Sequence, residues 1–289
     1  MGTWLFLAAA ITLAAPQASQ PAAAPSTVPA VAVASVPADA EIERFLKEAD
    51  VVSTKSTKKG VTDSLQATLS DGKLTHAAHV QNIDESKREF RSNQGVEFDF
   101  RDSYQFNIAA YKIDRLIGLN MVPVSIGRTY RSKPSAFTWW IDDVLMDEGD
   151  KVKKNVEAPD RTYYSRQRMM MYLFDELISN IDRNQGNIVY TKDWRIWLID
   201  HTRAFRKNSD LKMPARVTRC DRQVYEKLKA LDRQTLKTEV GKQLDDGQIK
   251  SLLARRDAIV KKLDSLGPSA LFDRNAPVTT PPGSATAAR

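Results

Sequence analysis

Asp182, Asn187 and Asp200 are side-chain types, in an order and spacing, that can transfer a phosphoryl group to a hydroxyl. They lie in Ile181-Asp182-Arg183-Asn184-Gln185-Gly186-Asn187-Ile188-Val189-Tyr190 and in Trp197-Leu198-Ile199-Asp200-His201-Thr202-Arg203-Ala204-Phe205. Such transfer needs one carboxylate to take the acceptor's proton, and an amide oxygen plus a second carboxylate to hold divalent metal on the phosphates. Asn187 follows Asp182 by five positions and Asp200 follows Asn187 by thirteen, room enough for a strand pair between them. Taken singly, each residue has a plain structural role: Asp182 caps a turn, Asn187 is a turn amide, and Asp200 ends a strand. Taken together they form an ordered set. Asp200 closes the apolar run Ile196-Trp197-Leu198-Ile199, where an ionised carboxylate is costly unless a cation compensates it. A calcium loop is excluded, because Gly186 is fifth from Asp182 where that motif needs it sixth, and Asp193 stands where a glutamate is required.

The surrounding pattern supplies elements to position this set. Met170, Leu173, Phe174, Leu177, Ile178 and Ile181 mark a buried helical stripe that leads directly into Asp182. Further helices are expected around Val224–Leu231 and Leu236–Leu244, and a long one carrying Ile249, Leu252, Leu253, Ile259, Val260 and Leu263. Upstream, residues 61–69 alternate, turn at Ser70-Asp71-Gly72 and return through Leu74 to Ile83, the signature of a hairpin. Phe106, Ala109, Ala110, Ile113, Leu116 and Ile117 share one helical face, with Gly118 as a stop. Strands are expected at Val122–Ile126 and Ala136–Ile141. The reading is therefore an α+β, two-lobed protein-kinase-like fold, with a strand-rich N-lobe over 41–145 and a helical C-lobe over 146–266.

Bulk properties narrow the classes. The 289 residues are 42% hydrophobic, and 43 Lys+Arg against 36 Asp+Glu give +7, a surplus that suits phosphate-bearing or acidic ligands. No basic strip with interleaved aromatics suggests a nucleic-acid partner. One cysteine, Cys220, rules out an internal disulfide, and three histidines argue against a histidine-rich metal centre. A metal held by oxygen would be Mg2+ or Mn2+. Residues 1–15 read as a signal peptide or N-terminal anchor, since the apolar run Trp4–Ala15 is shorter than the roughly 20 residues of a membrane span. Residues 16–40 read as an Ala/Pro-rich linker and 267–289 as a disordered tail. The expected location is exported, periplasmic or secreted, with no later membrane span.

Asp-Arg-Asn-x-x-Asn followed by Leu-Ile-Asp-x-x-x-Ala-Phe resembles the atypical kinases, among them the type II phosphatidylinositol 4-kinases and the secretory-pathway Golgi casein kinases. The resemblance spans roughly residues 55–265 and is strongest over 177–206. It implies ATP as cofactor, Asp182 as the base, Asp200 on metal, and a hydroxyl acceptor on a protein, glycan or lipid headgroup. Asn187 is the remaining expected metal ligand. A kinase also pairs a strand lysine with a glutamate from the N-lobe helix. Here Gln81 and Asn107 take those positions, so neither charge is stranded, and a Gln81–Asn107 hydrogen bond would serve instead. Lys55, Lys58, Lys59 and Gly60, from the phosphate-binding hairpin, are expected on the nucleotide, as is Trp139 near the adenine. The same two amides leave a second reading open: a pseudokinase, a nucleotide-binding module without transfer activity.

Overall fold

The computed structural model describes residues 38–57, 64–92, 95–181 and 183–274. Asp182, Lys58, Lys59 and Gly60 lie outside the described residues, as do the leader, most of the linker and the end of the tail. The chain begins with helix α1 (Asp39–Glu48), which buries Ile42, Phe45 and Leu46 at helical spacing. Strand β1 (Asp50–Ser56) pairs antiparallel with β2 (Leu65–Ser70), and β2 with β3 (Thr75–Gln81). The β2–β3 turn is held by Asp71 Oδ1, which accepts from the amides of Lys73 at 2.9 Å and Leu74 at 2.8 Å. It also uses Gly72 at φ +85°, a conformation that a side chain would strain.

A separate hairpin follows, β4 (Asp84–Ser92) with β5 (Gly95–Ser103). Its mixed charges hide the alternation that would have marked it in the sequence. Helix α2 (Gln105–Leu116) buries Phe106, Ala109, Ala110 and Ile113, and Gly118 breaks it at φ +69°. The strand expected at Val122 begins later, as β6 (Ser125–Tyr130), paired with β7 (Lys133–Trp139). The reason is Asp114, whose buried Oδ1 takes the amides of Met121 at 2.8 Å and Val122 at 3.2 Å and ties that stretch to the helix end.

The main sheet runs β1-β2-β3-β7-β6. Register fixes what each face carries, since directly opposed residues point the same way. On one face lie Ala78, Val80, Phe137 and Trp139, where α1 packs: Phe45 meets Trp139 edge-on at 5.8 Å, and Arg128 donates to the Ala49 carbonyl at 2.7 Å. On the other lie Lys55, Gln66, His79, Thr138 and Ser125 in one row, with Gln81 and Ala136 in the next.

The helical region starts after β8 (Val144–Asp147) and α3 (Glu148–Lys153). Asp160 caps α4 (Arg161–Ile178) by accepting from Thr162 and Tyr163, both at 2.9 Å. Met170, Leu173, Phe174, Leu177 and Ile178 of α4 are all buried. The ribbon β9 (Ile188–Thr191) and β10 (Ile196–Leu198) joins β8 in a three-stranded sheet. Then come β11 (Cys220–Asp221), α5 (Arg222–Ala230), α6 (Arg233–Val240), α7 (Asp246–Leu266) and β12 (Leu271–Phe272). Asp245 and Gln248 cap α7 reciprocally, each bond 2.9 Å. Cys220 is buried. Among the described residues no helix is long and apolar enough to cross a membrane.

Candidate active site

The β9–β10 register, Leu198 opposite Ile188, continues one rung further: the Ile199 amide donates to the Asn187 carbonyl at 3.1 Å. Asn187 therefore stands across the ribbon end from Ile199, the residue before Asp200. Arg183 locks that end. Its Nη1 donates to the Asn187 carbonyl at 3.1 Å and the Ile199 carbonyl at 2.9 Å, while Nη2 donates to Asp175 Oδ1 at 2.8 Å. Asp175 sits on buried α4, so the loop on one side of the ribbon and the strand end on the other are fastened to the core by one guanidinium.

Asp200 is exposed and adopts φ +55°, the left-handed region that a β-carbon disfavours. That turn lifts the carboxylate out of the line of β10. It accepts from Thr202 Oγ1 at 3.1 Å. The next residue, His201, is buried, and its Nε2 lies 3.0 Å from Arg183 Nη2. Since Arg183 can only donate, Nε2 accepts and the ring is neutral; burial and the Arg183 charge hold its pKa well below the ordinary 6.5.

Asn107 joins this end of the molecule to the sheet. Its Nδ2 donates to Gln81 Oε1 at 2.9 Å and its Oδ1 accepts from the His201 amide at 2.7 Å. The Gln81–Asn107 hydrogen bond expected from the sequence is present, and Asn107 carries a second bond that the sequence did not disclose. Both side chains are buried.

Two further groups face Asp200. His79, in the row that also carries Lys55, has its pKa lowered by burial, with the Asp200 charge acting the other way. Asp102, at the end of β5, has its pKa raised by burial; the Thr202 hydroxyl opposes this and Asp200 adds to it. Neither stood out in the sequence, because only the pairing of β3 with β7 and the return of β5 toward Thr202 bring them there; the Ser103 amide donates to the Thr202 carbonyl at 2.8 Å. Arg183, by contrast, was visible as the residue next to Asp182. Trp139 lies on the α1 face of the sheet, stacked on His76 at 3.4 Å, opposite the face that carries His79 and Gln81. Strand alternation put it there, one position from Thr138 on the other face.

Asn187 and Asp200 supply an amide and a carboxylate oxygen, and an exposed carboxylate held at a strained backbone position fits an oxygen-coordinated divalent cation. Among the described residues no group of three His, Cys, Asp or Glu forms a complete protein cage. Mg2+ in particular is ordinarily held by one or two carboxylates with waters and phosphates completing the shell.

No protein-family profile and no curated protein matches this chain. Solved structures do. Hydra Fam20 with sugar is similar at TM-score 0.62 and 14% identity, over 83% of this chain and 95% of that one. Golgi casein kinase with Mn and ADP bound is similar at TM-score 0.57 and 13% identity, over 83% of this chain and 80% of that one. The fold is kinase-like. In this kinase-like α+β fold the strand-rich sheet comes first and the helical region follows, and the ribbon with Asn187 and Asp200 lies inside the helical region, after α4.

Proposed function

We propose that this chain is an exported phosphotransferase that moves a phosphoryl group from ATP to a hydroxyl acceptor with Mg2+ or Mn2+. The observation that supports it most directly is the ribbon end, where Asn187 pairs with the residue before Asp200 and the residue after it, His201, is tied through Asn107 to Gln81. Bound there, the cation would neutralise charge on the transferring phosphates. Asp200 and Asn187 hold it; Arg183 and Asn107 keep those two from separating. Lys55, on the same sheet face as His79, reaches toward the phosphates as a flexible cation, in place of a lysine at Gln81. Asp182, five residues before Asn187, takes the acceptor's proton.

The test is transfer of label from the terminal phosphate of ATP, with Mn2+ and a panel of protein, glycan and lipid-headgroup acceptors. Replacing Asp200 by Ala is expected to lower the rate at least about 100-fold. The amide pair at Gln81 and Asn107 favours a second reading, a nucleotide-binding module. Equal nucleotide binding by both forms, with no label moved by either, would establish that one instead.

A further inference from the structure

A cavity of about 180 Å3 opens between the β4–β5 hairpin and the segment that follows Asp200. Its lining carries five cations, Lys87, Arg88, Arg101, Arg206 and Lys207, against one acid, Asp99. Three of the cations have partners: Lys87 with Glu85 and Lys207 with Asp245, both at 2.9 Å, and Arg206 with Glu97. Counting those acids and Asp99, the cations remain in excess, five to four. Arg88 and Arg101 form no ion pair among the described residues.

The donors are also held ready. Arg101 Nε and Arg206 Nε are buried without a hydrogen-bond acceptor among the described residues. A guanidinium N–H in that state forfeits about 1–3 kcal/mol unless something accepts from it. Arg101 lies over the Phe106 ring at 5.7 Å, which orients its plane without using its donors. On the opposite wall, α7 grips the backbone of the segment: Gln248 Nε2 donates to the Phe205 carbonyl at 3.0 Å, Arg255 Nη1 to the Arg206 carbonyl at 3.0 Å and Ser251 Oγ to the Lys207 carbonyl at 2.7 Å. Two guanidinium forks from two walls suit a tetrahedral dianion, which offers acceptor oxygens in both directions, better than a planar carboxylate.

We infer that this cavity binds a phosphate dianion, either free or as a monoester on the acceptor, and that the anion bridges the hairpin to the segment after Asp200. Arg206 is six positions after Asp200, so their α-carbons lie within about 22 Å of each other. An acceptor carrying such an ester would be anchored on the segment that follows Asp200; that acceptor role rests on the proposed function, while the anion site itself does not.

Titration calorimetry with inorganic phosphate, and separately with O-phosphoserine and glycerol phosphate, tests the site without any turnover. Arg101→Gln is expected to weaken phosphate at least about tenfold, and Arg101→Lys to recover part of the loss. Cooperative melting in phosphate-free buffer controls for folding of both variants. Free phosphate binding as tightly as the esters assigns the site to the free anion; tighter ester binding assigns it to the acceptor. The inference fails if no phosphate compound binds below about 10 mM, or if Arg101→Gln binds all of them as well as the parent chain does.

Discussion

Asn107 shows how one buried amide can align a strand, a helix and a loop backbone. In the lysine–glutamate arrangement, attraction between opposite charges aligns strand and helix. Here a neutral amide uses its donor on Gln81 and its acceptor on the His201 backbone, so alignment comes from direction rather than charge. Replacing Asn107 by Ala strips an acceptor from one buried amide and a donor from another. Two buried groups that each lose a partner, at about 1–3 kcal/mol apiece, predict a loss of up to about 6 kcal/mol, measurable as a shift in urea midpoint. Nucleotide affinity should fall with it, since both walls of the cleft lose their common anchor. The Gln81–Asn107 pairing was legible in the sequence because both positions sit at fixed places in recognisable elements. The bond to His201 was not, because it depends on the strained turn at Asp200 that no spacing rule reports.

At the scale of elements, the β9–β10 ribbon and α4 act as one unit because Arg183 spans them. The guanidinium makes bonds to Asp175, Asn187, Ile199 and His201, and both it and Asp175 are largely shielded from water. Removing it by Arg183→Ala leaves a shielded carboxylate on α4 without its cation and the Ile199 carbonyl without that donor, while the Asn187 carbonyl keeps the Ile199 amide. A cost of about 3–5 kcal/mol is expected, and Arg183→Lys should recover little, because an ammonium cannot serve four separated acceptors at once. Equilibrium denaturation of both variants checks this; a loss below about 1 kcal/mol would show that the ribbon end holds without the clamp. The ribbon's place was readable from the apolar runs on either side of it. The β4–β5 hairpin was not, because its charged faces break the period of two, and with it went any sign of Asp102 or of the basic cavity.

For the whole molecule, buried His201 and half-buried His79 set a pH dependence of stability. Both His201 and His79 have folded-state pKa values held below the ordinary 6.5, chiefly by burial. In the folded chain they stay neutral, while the unfolded chain takes up protons as pH falls through 6.5. Their contribution is thus fully present above that pH and is lost below it, by up to about 1.4 kcal/mol per pH unit for each ring. Urea midpoints measured between pH 7.5 and 5 should fall steeply, and less so for His201→Phe, which keeps a ring against Phe174 but cannot titrate. Equal slopes would mean that His201 is not buried neutral.

The lone thiol, Cys220, is sealed within the helical region, and its pKa is pushed up to about 12, mainly by burial. At neutral pH it is chemically silent toward alkylating reagents. One cysteine engineered at Phe98, whose ring is 71% exposed on the hairpin, would then be the principal labelling site, and a fluorophore attached there would watch anions arrive without the native residue contributing a signal.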